Sequence, residues 1–245
     1  MRVVPVKSFG HFAEADLVTA GYAPDALGLS GGDEAQSAGA VVASGRELPY
    51  TCVPCGSHNL FARDLGIDQQ DPFGALDAFL HFCEYEVDLG EVNGRTFVNY
   101  VALGLDCAPA PNSAARDDPR IPASLVSYSL TPRRGSSVLA WFGPAGRRTD
   151  SALFISNNRC RFKALEAAGR ARLDGGVLGI GVLDMGARAG VAAGGHWQEL
   201  CTSSFEIDGD GPLMADIDGL TVMLEPPLRF RSLPRALRVR IPLTA

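Results

Sequence analysis

Lysine is nearly missing from this chain: of 245 residues, 22 are Lys or Arg, and only Lys7 and Lys163 are lysines. Acidic residues number 28, so the net charge is −6. Nucleic-acid binding needs clustered basic side chains against phosphate, which excludes nucleic acid as the main partner. No apolar run approaches the ~20 residues of a membrane span, so no integral membrane segment is expected. The opening MRVVPVKSFGHF lacks the apolar core of a secretory signal, and a cytoplasmic protein is expected. Cys52, Cys55, Cys83, Cys107, Cys160 and Cys201 are then expected to be reduced thiols. His11, His81 and His196 form no ligand spacing with them, and no metal site is read. No nucleophile elbow is read either, so an α/β-hydrolase is not expected.

Hydrophobic residues make up 46% of the chain, enough for a real core. Val3 to Val6, Ala26 to Leu29 and Thr51 to Val53 read as strands. Helical spacing is read over Phe12 to Thr19, Ala35 to Ala43, Asn59 to Leu65 and Pro72 to Cys83. Strands alternating with helices predict an open parallel α/β sheet. Beyond Glu84 the pattern changes. Tyr85 to Leu89 and Thr96 to Leu105 flank Asn93-Gly94, a hairpin turn that wants positive φ. Strand signals then continue to Leu237–Ile241, around a long loop read over residues 108–136. The expected organisation is an α/β nucleotide-binding-like domain over 1–88, completed by 228–245, and an antiparallel β-sandwich over 89–227. A ligand cleft is expected between them.

Two glycine turns carry the chemistry. Ser30-Gly31-Gly32-Asp33 ends one strand, and Pro54-x-Gly56-Ser57-x-Asn59-x-x-Ala62-Arg63-x-Leu65-Gly66 follows the next. These resemble the GGDGT and P-x-G-[ST]-x-N-D-x-A-R-x-L-G motifs of the diacylglycerol kinase and sphingosine kinase family. Val87-Asp88-Leu89-Gly90, Phe97-Val98-Asn99, Ala171 to Val182, Asp216 to Gly219 and Pro234 to Pro242 resemble later family segments. The resemblance covers about residue 15 to the C-terminus. It implies a nucleotide domain, a β-sandwich lipid domain, and Gly31, Gly32, Gly56, Ser57 and Asn59 in degenerate nucleotide loops.

The same resemblance exposes five departures on the ATP side. The family's first N-P-x-[SA]-G loop is not found. GGDGT reads Gly31-Gly32-Asp33-Glu34-Ala35, which sets a carboxylate where a phosphate would approach, at a cost of about 1–4 kcal/mol at ~4 Å. The N-D pair reads Asn59-Leu60. The D-D-G implied to carry the general base reads Asp174-Gly175-Gly176, with Gly179 in place of a further aspartate. D-G-E reads Asp218-Gly219-Leu220.

The expectation drawn from this is a lipid-kinase scaffold that has lost ATP-dependent phosphoryl transfer and needs no cofactor. It would bind a hydrophobic, lipid-like small molecule and convert it by acid–base-assisted cyclisation or isomerisation. Its candidate residues are His58, Glu34, Asp33 and Asp106. Each has a plainer reading: a helix-capping turn for His58, an N-terminal acidic pair for Asp33 and Glu34, and a strand-end turn for Asp106. The alternatives are an ATP- and Mg²⁺-dependent lipid kinase and a non-catalytic lipid-binding pseudokinase; a homodimer is compatible with all three.

Overall fold

The computed structural model describes residues 23–56, 59–109, 128–132, 138–141, 147–163, 166–167, 169–184, 197–209 and 211–243. The elements read at Val3–Val6 and Phe12–Thr19, and residues Ser57 and His58, lie outside them. Leu27–Gly31 (β1) pairs in parallel with Tyr50–Pro54 (β2), Leu27 opposite Tyr50. The connecting Asp33–Gly45 (α1) buries Ala35, Gly39, Ala40 and Ala43, a stripe of small residues that lets the helix lie close on the sheet. A Cβ at Gly39 would meet the Tyr50 hydroxyl at 2.7 Å. Every residue of β2 is buried, as expected of a strand covered on both faces.

The strand beside β2 comes from the far end of the chain. Leu228–Pro242 (β17) runs parallel to β2 through Val239 and Arg240, and antiparallel to Phe82–Val92 (β3) along nearly its whole length. This pairing corrects the helix read over Pro72 to Cys83. One turn, Pro72–Ala75 (α3), and a 3-10 turn, Leu76–Phe79, are all that forms, and Phe82 and Cys83 open β3. A ladder with β17 outweighs the helical spacing there. The helix read at Asn59 to Leu65 is Leu60–Asp64 (α2). Asn93 and Gly94 adopt φ 48 and 80, the positive values the turn demands, and lead into Arg95–Phe97 (β4).

The single strand read over Thr96 to Leu105 is three: β4, Tyr100–Leu103 (β5) and Leu105–Pro109 (β6). Gly104, at φ 69, redirects the chain between two sheets. β6 pairs with Tyr128–Pro132 (β7), inside the stretch read as a loop. Phe162–Lys163 (β10) and Glu166–Ala167 (β11) complete this four-stranded sheet. The seven-stranded sheet contains β5, Val138–Trp141 (β8), Arg147–Asn157 (β9), Leu178–Asp184 (β12), Trp197–Thr202 (β13), Leu213–Ile217 (β15) and Leu220–Leu224 (β16). Ser204–Ile207 (β14) joins the first half of β17. The architecture is thus a mixed α/β sheet followed by antiparallel sheets.

The core has three parts. Leu29, Val53, Phe61, Val87, Leu89, Leu237 and Val239 pack around the parallel strands and helices. Val92, Phe97, Val101, Ile155, Ile180, Leu228 and Phe230 fill the space between the seven-stranded sheet and the outer half of the first sheet. Tyr100, Leu105, Leu130 and Phe154 seal its other face, with Tyr100 and Phe154 stacked at 5.0 Å. β3 and β17 therefore serve two cores each. β17 changes over at an irregularity between Leu233 and Leu237, where Arg235 takes φ 54 and its N–H donates to Asp88 Oδ1 at 2.9 Å.

Gly90 lies where β3 passes under the buried Phe97 ring, and a Cβ there would come within 2.1 Å of Phe97 Cζ. Gly90→Ala is expected to cost about 1–3 kcal/mol of stability by overpacking, read as a lowered midpoint in urea denaturation.

Candidate functional site

The two glycine turns meet at the carboxyl ends of β1 and β2. A Cβ at Gly56 would sit 2.3 Å from the Gly32 Cα, so only glycine permits this approach of backbone on backbone. The Gly56–Asn59 loop is closed by one side chain. Asn59 Oδ1 accepts the Gly56 N–H at 2.8 Å while its Nδ2 donates to the Gly56 carbonyl at 2.9 Å. Asn59 itself takes φ 51, a conformation asparagine tolerates better than most residues. Beneath the turns, Gln36 Nε2 donates to the carbonyls of Leu29, Gly31 and Val53, and its Oε1 accepts the Tyr50 hydroxyl. This buried amide fixes both strand ends.

Asp33 and Glu34 both lie in the first turn of α1, whose N-cap Gly32 supplies no side-chain acceptor. Their roles differ. Asp33 is partly buried, and its Oδ1 accepts the Phe61 N–H at 3.1 Å, capping α2. Glu34 is exposed. Asp33 and Asn59 are brought together with Gly31, Gly32 and Gly56. Asp106 lies exposed on β6 in the four-stranded sheet. Ser57 and His58 fall outside the described residues.

The segment 174–179 is shaped by Asn158, which is buried with φ 72. Its Oδ1 accepts the Gly175 N–H at 2.7 Å, and a Cβ at Gly175 would come within 2.6 Å of that oxygen. The next amide, Gly176 N–H, donates to buried Asp88 at 2.6 Å. A Cβ at Gly179 would press 2.8 Å from the Asn158 carbonyl. Asp174 is exposed and paired with Arg172 at 3.0 Å; the hydrogen bond from Arg172 holds its carboxyl below the usual range.

A buried polar seam joins the α/β unit to the β unit. Asp218 accepts hydrogen bonds from Ser37 Oγ on α1 (2.5 Å) and from the N–H groups of Val98, Asn99 and Tyr100 (2.7–2.9 Å). Burial pushes its carboxyl pKa up, and these four donors oppose the shift. Arg170 pairs with Asp64 on α2 at 2.7 Å and donates to the Val98 and Asn157 carbonyls and Asn99 Oδ1. Of these residues only Asp88, Asn99 and Asp218 stand in recognisable motif strings. Arg170, Ser37 and Gln36 carry no local pattern that separates them from surface polar residues.

Gly28-Leu29-Ser30-Gly31-Gly32 does satisfy the Gly-x-Ser-x-Gly spacing, contrary to expectation. Ser30 nevertheless pairs with Val53 within regular β1, and its hydroxyl donates to Cys55 Sγ at 2.9 Å. That is not the strained strand-to-helix turn a nucleophile elbow requires. All six cysteines are free thiols. Desolvation pushes the buried Cys52 thiol well up, which opposes a reactive thiolate at that position. A groove of about 490 Å³ opens behind the second turn, lined by Arg63, Gly66 to Asp71, Gly74 and Pro242. Gln69 ties its wall to the Asn59 carbonyl. Among the described residues, no three His, Cys, Asp or Glu side chains gather to hold a metal ion, and no helix is long and apolar enough to cross a membrane.

Paired glycine turns at parallel strand ends, joined to an antiparallel sheet unit, define the diacylglycerol kinase class of fold. Residues 3–92 match the diacylglycerol kinase catalytic domain. The chain is 29% identical over 248 aligned positions to the Probable lipid kinase YegS-like protein of Pseudomonas aeruginosa PAO1, covering 93% of this chain and 79% of that one. It is 38% identical over 52 residues to the diacylglycerol kinase of Bacillus subtilis 168, covering 21% of this chain and 17% of that one. A diacylglycerol kinase structure from Bacillus anthracis Sterne superposes with TM-score 0.57 at 15% identity, over 90% of this chain and 77% of that one. In sequence and fold the chain is thus similar to the diacylglycerol kinase-like lipid kinases over nearly its whole length.

Two outcomes are expected at the seam. Arg170→Met leaves Asp64 buried without its cation and should lower stability by about 3–5 kcal/mol in urea denaturation. For Asp218, a folded pKa above the unfolded value means the native state binds the extra proton. Its contribution is then fully present below the unfolded pKa and is lost as pH rises through the folded one. The stability gap between the parent protein and Asp218→Asn should therefore widen on acidification from neutral pH. A gap that narrows on acidification contradicts the raised pKa.

Proposed function

We propose that this protein is an ATP-dependent lipid phosphotransferase of the diacylglycerol kinase kind. The observation that carries this reading is the contact of Gly32 on Gly56 at the ends of two parallel strands. It sets the first turn of α1, whose N-cap Gly32 supplies no side-chain acceptor, beside the Gly56 backbone that Asn59 holds. Backbone N–H groups so placed suit a phosphate chain. The relatives named as lipid kinases point the same way. Mg²⁺ would enter bound to the nucleotide, since the described residues form no carboxylate cage of their own. Gly31, Gly32, Gly56 and Asn59 would position the phosphates, and a lipid hydroxyl would approach from the β unit.

A second reading, lipid binding without phosphoryl transfer, is favoured by one observation. The position read as the general base is Gly175, and the Asn158 carboxamide occupies the space its side chain would need. Cyclisation and isomerisation have no such support. Of their candidate residues, Asp33 caps a helix, Asp106 stands on a different sheet, and His58 is not described.

The deciding assay is transfer of labelled γ-phosphate from ATP–Mg²⁺ to diacylglycerol and to sphingoid bases in mixed micelles. A phospholipid product that is lost on Asn59→Ala is expected. ATP binding without product on any lipid hydroxyl would favour the second reading.

A further inference from the structure

Arg170 stands on an irregular stretch between β11 and β12, yet its guanidinium reaches toward both segments that carry the candidate chemistry. Its side chain and that of Asp64 are only 5% and 8% exposed. On the α/β side, Nε and Nη2 both lie 2.7 Å from Asp64 Oδ2. Asp64 is the last residue of α2, and Asn59, which closes the Gly56 turn, is the N-cap of the same helix. The Arg63 N–H donates to the Asn59 carbonyl, so a single helical turn separates the ion pair from that loop. On the β side, Nη1 donates to the carbonyls of Val98 (2.6 Å) and Asn157 (3.2 Å), and Nη2 donates to Asn99 Oδ1 (2.8 Å). Asn157 adjoins Asn158, whose Oδ1 accepts the Gly175 N–H. Asn157 Nδ2 also donates to the carbonyl of Asp88, whose carboxylate accepts the Gly176 N–H.

A guanidinium presents five N–H donors in a fixed planar fork, which suits a carboxylate on one side and carbonyls on the other; an ammonium is a compact point charge without that fork. The Gly56 turn does not need Arg170 in order to close, since Asn59 and Gln36 hold the turn and the strand ends locally. What Arg170 adds is the placement of that turn relative to residues 174–176. We propose that Arg170 is a positioning residue: it sets the second glycine turn against the segment containing the candidate base position, and with it the spacing of phosphoryl donor and acceptor. The consequence for transfer rests on the phosphotransferase reading. A displacement of about 1 Å between reacting groups costs roughly a hundredfold in rate.

The test compares the full chain with Arg170→Lys, Asp64→Asn and Leu224→Ala. The first two break the bridge from its two ends, and the third destabilises the protein by truncating a buried side chain on β16, outside the bridge. Two readouts are taken: phosphate transfer with ATP–Mg²⁺ affinity, and amide exchange by NMR at Gly56, Gly175 and Val182. Arg170→Lys and Asp64→Asn are expected to lower kcat by about tenfold to a hundredfold while ATP–Mg²⁺ affinity stays within about twofold of the parent. In both, exchange at Gly56 and Gly175 should rise together, by about tenfold or more beyond any rise at buried Val182. Leu224→Ala should keep the parent's kcat. Retained kcat in the two bridge variants, or a loss matched by Leu224→Ala, would overturn the proposal, while activity of the parent would leave the kinase reading standing. A parent that transfers no phosphate would remove the kinase reading, and exchange would then decide: joint acceleration at Gly56 and Gly175 upholds the positioning role, and acceleration of only one, of neither, or of all three amides alike overturns it.

Discussion

The buried carboxylate of Asp218 is the contact on which the joint between the two halves of the molecule depends. Three of its four donors are consecutive backbone amides, Val98 to Tyr100, at the point where the chain leaves the first sheet for the seven-stranded one. The fourth is Ser37, about one turn into the helix whose N-terminal end carries the first glycine turn. Three amides converging on one acceptor cannot be replaced by water without opening the seam, since each would be left buried and unpaired. The Asp218–Gly219 turn, with φ 50 and 94, exists in the conformation that delivers this carboxylate inward. Arg170 repeats the arrangement with opposite charge, joining Asp64 of α2 to carbonyls of the β unit.

This seam lies beside continuous strands rather than across a linker. β3 places Val87 and Leu89 in one core and Val92 in the next, and β17 does the same with Val239 and Phe230. A hinge between the two halves would have to bend both strands at once. The strain of the changeover is confined to the irregularity at Leu233 to Leu237, where Asp88 accepts the Arg235 N–H. Asp88 also accepts the Gly176 N–H, so the same side chain that steadies the β17 irregularity fixes the segment at the candidate base position. Packing and site geometry are coupled here through one residue.

The parts legible from sequence were those in which a single residue type is compelled locally. Gly56 must be glycine because of Gly32, Asn93-Gly94 must turn with positive φ, and small residues along α1 must face the sheet. The parts that were not legible depend on partners distant in sequence. Phe82 and Cys83 follow a helical run, yet β17 draws them into a ladder 158–160 residues away. Arg170 sits in a short irregular segment whose sequence resembles any exposed basic loop; only the convergence of Asp64, Val98, Asn99 and Asn157 makes it a buried cation. Asp33 and Glu34 looked equivalent because sequence shows adjacency but not the direction in which a carboxylate is used.

The departures from the kinase motifs are not alike once their surroundings are known. At Gly175 and Gly179 the missing side chains leave no hollow: the Asn158 carboxamide and the backbone of residues 158–160 occupy the space. An aspartate could return only if that buried, hydrogen-bonded segment moved, so these changes are built into the packing. Leu60, in place of an acidic residue, is likewise buried in the core. Glu34 differs, since it is exposed and packs against nothing that would require a glutamate. A residue without a packing role is constrained by stability only weakly, through its few tenths of a kcal/mol of favourable interaction with the helix dipole.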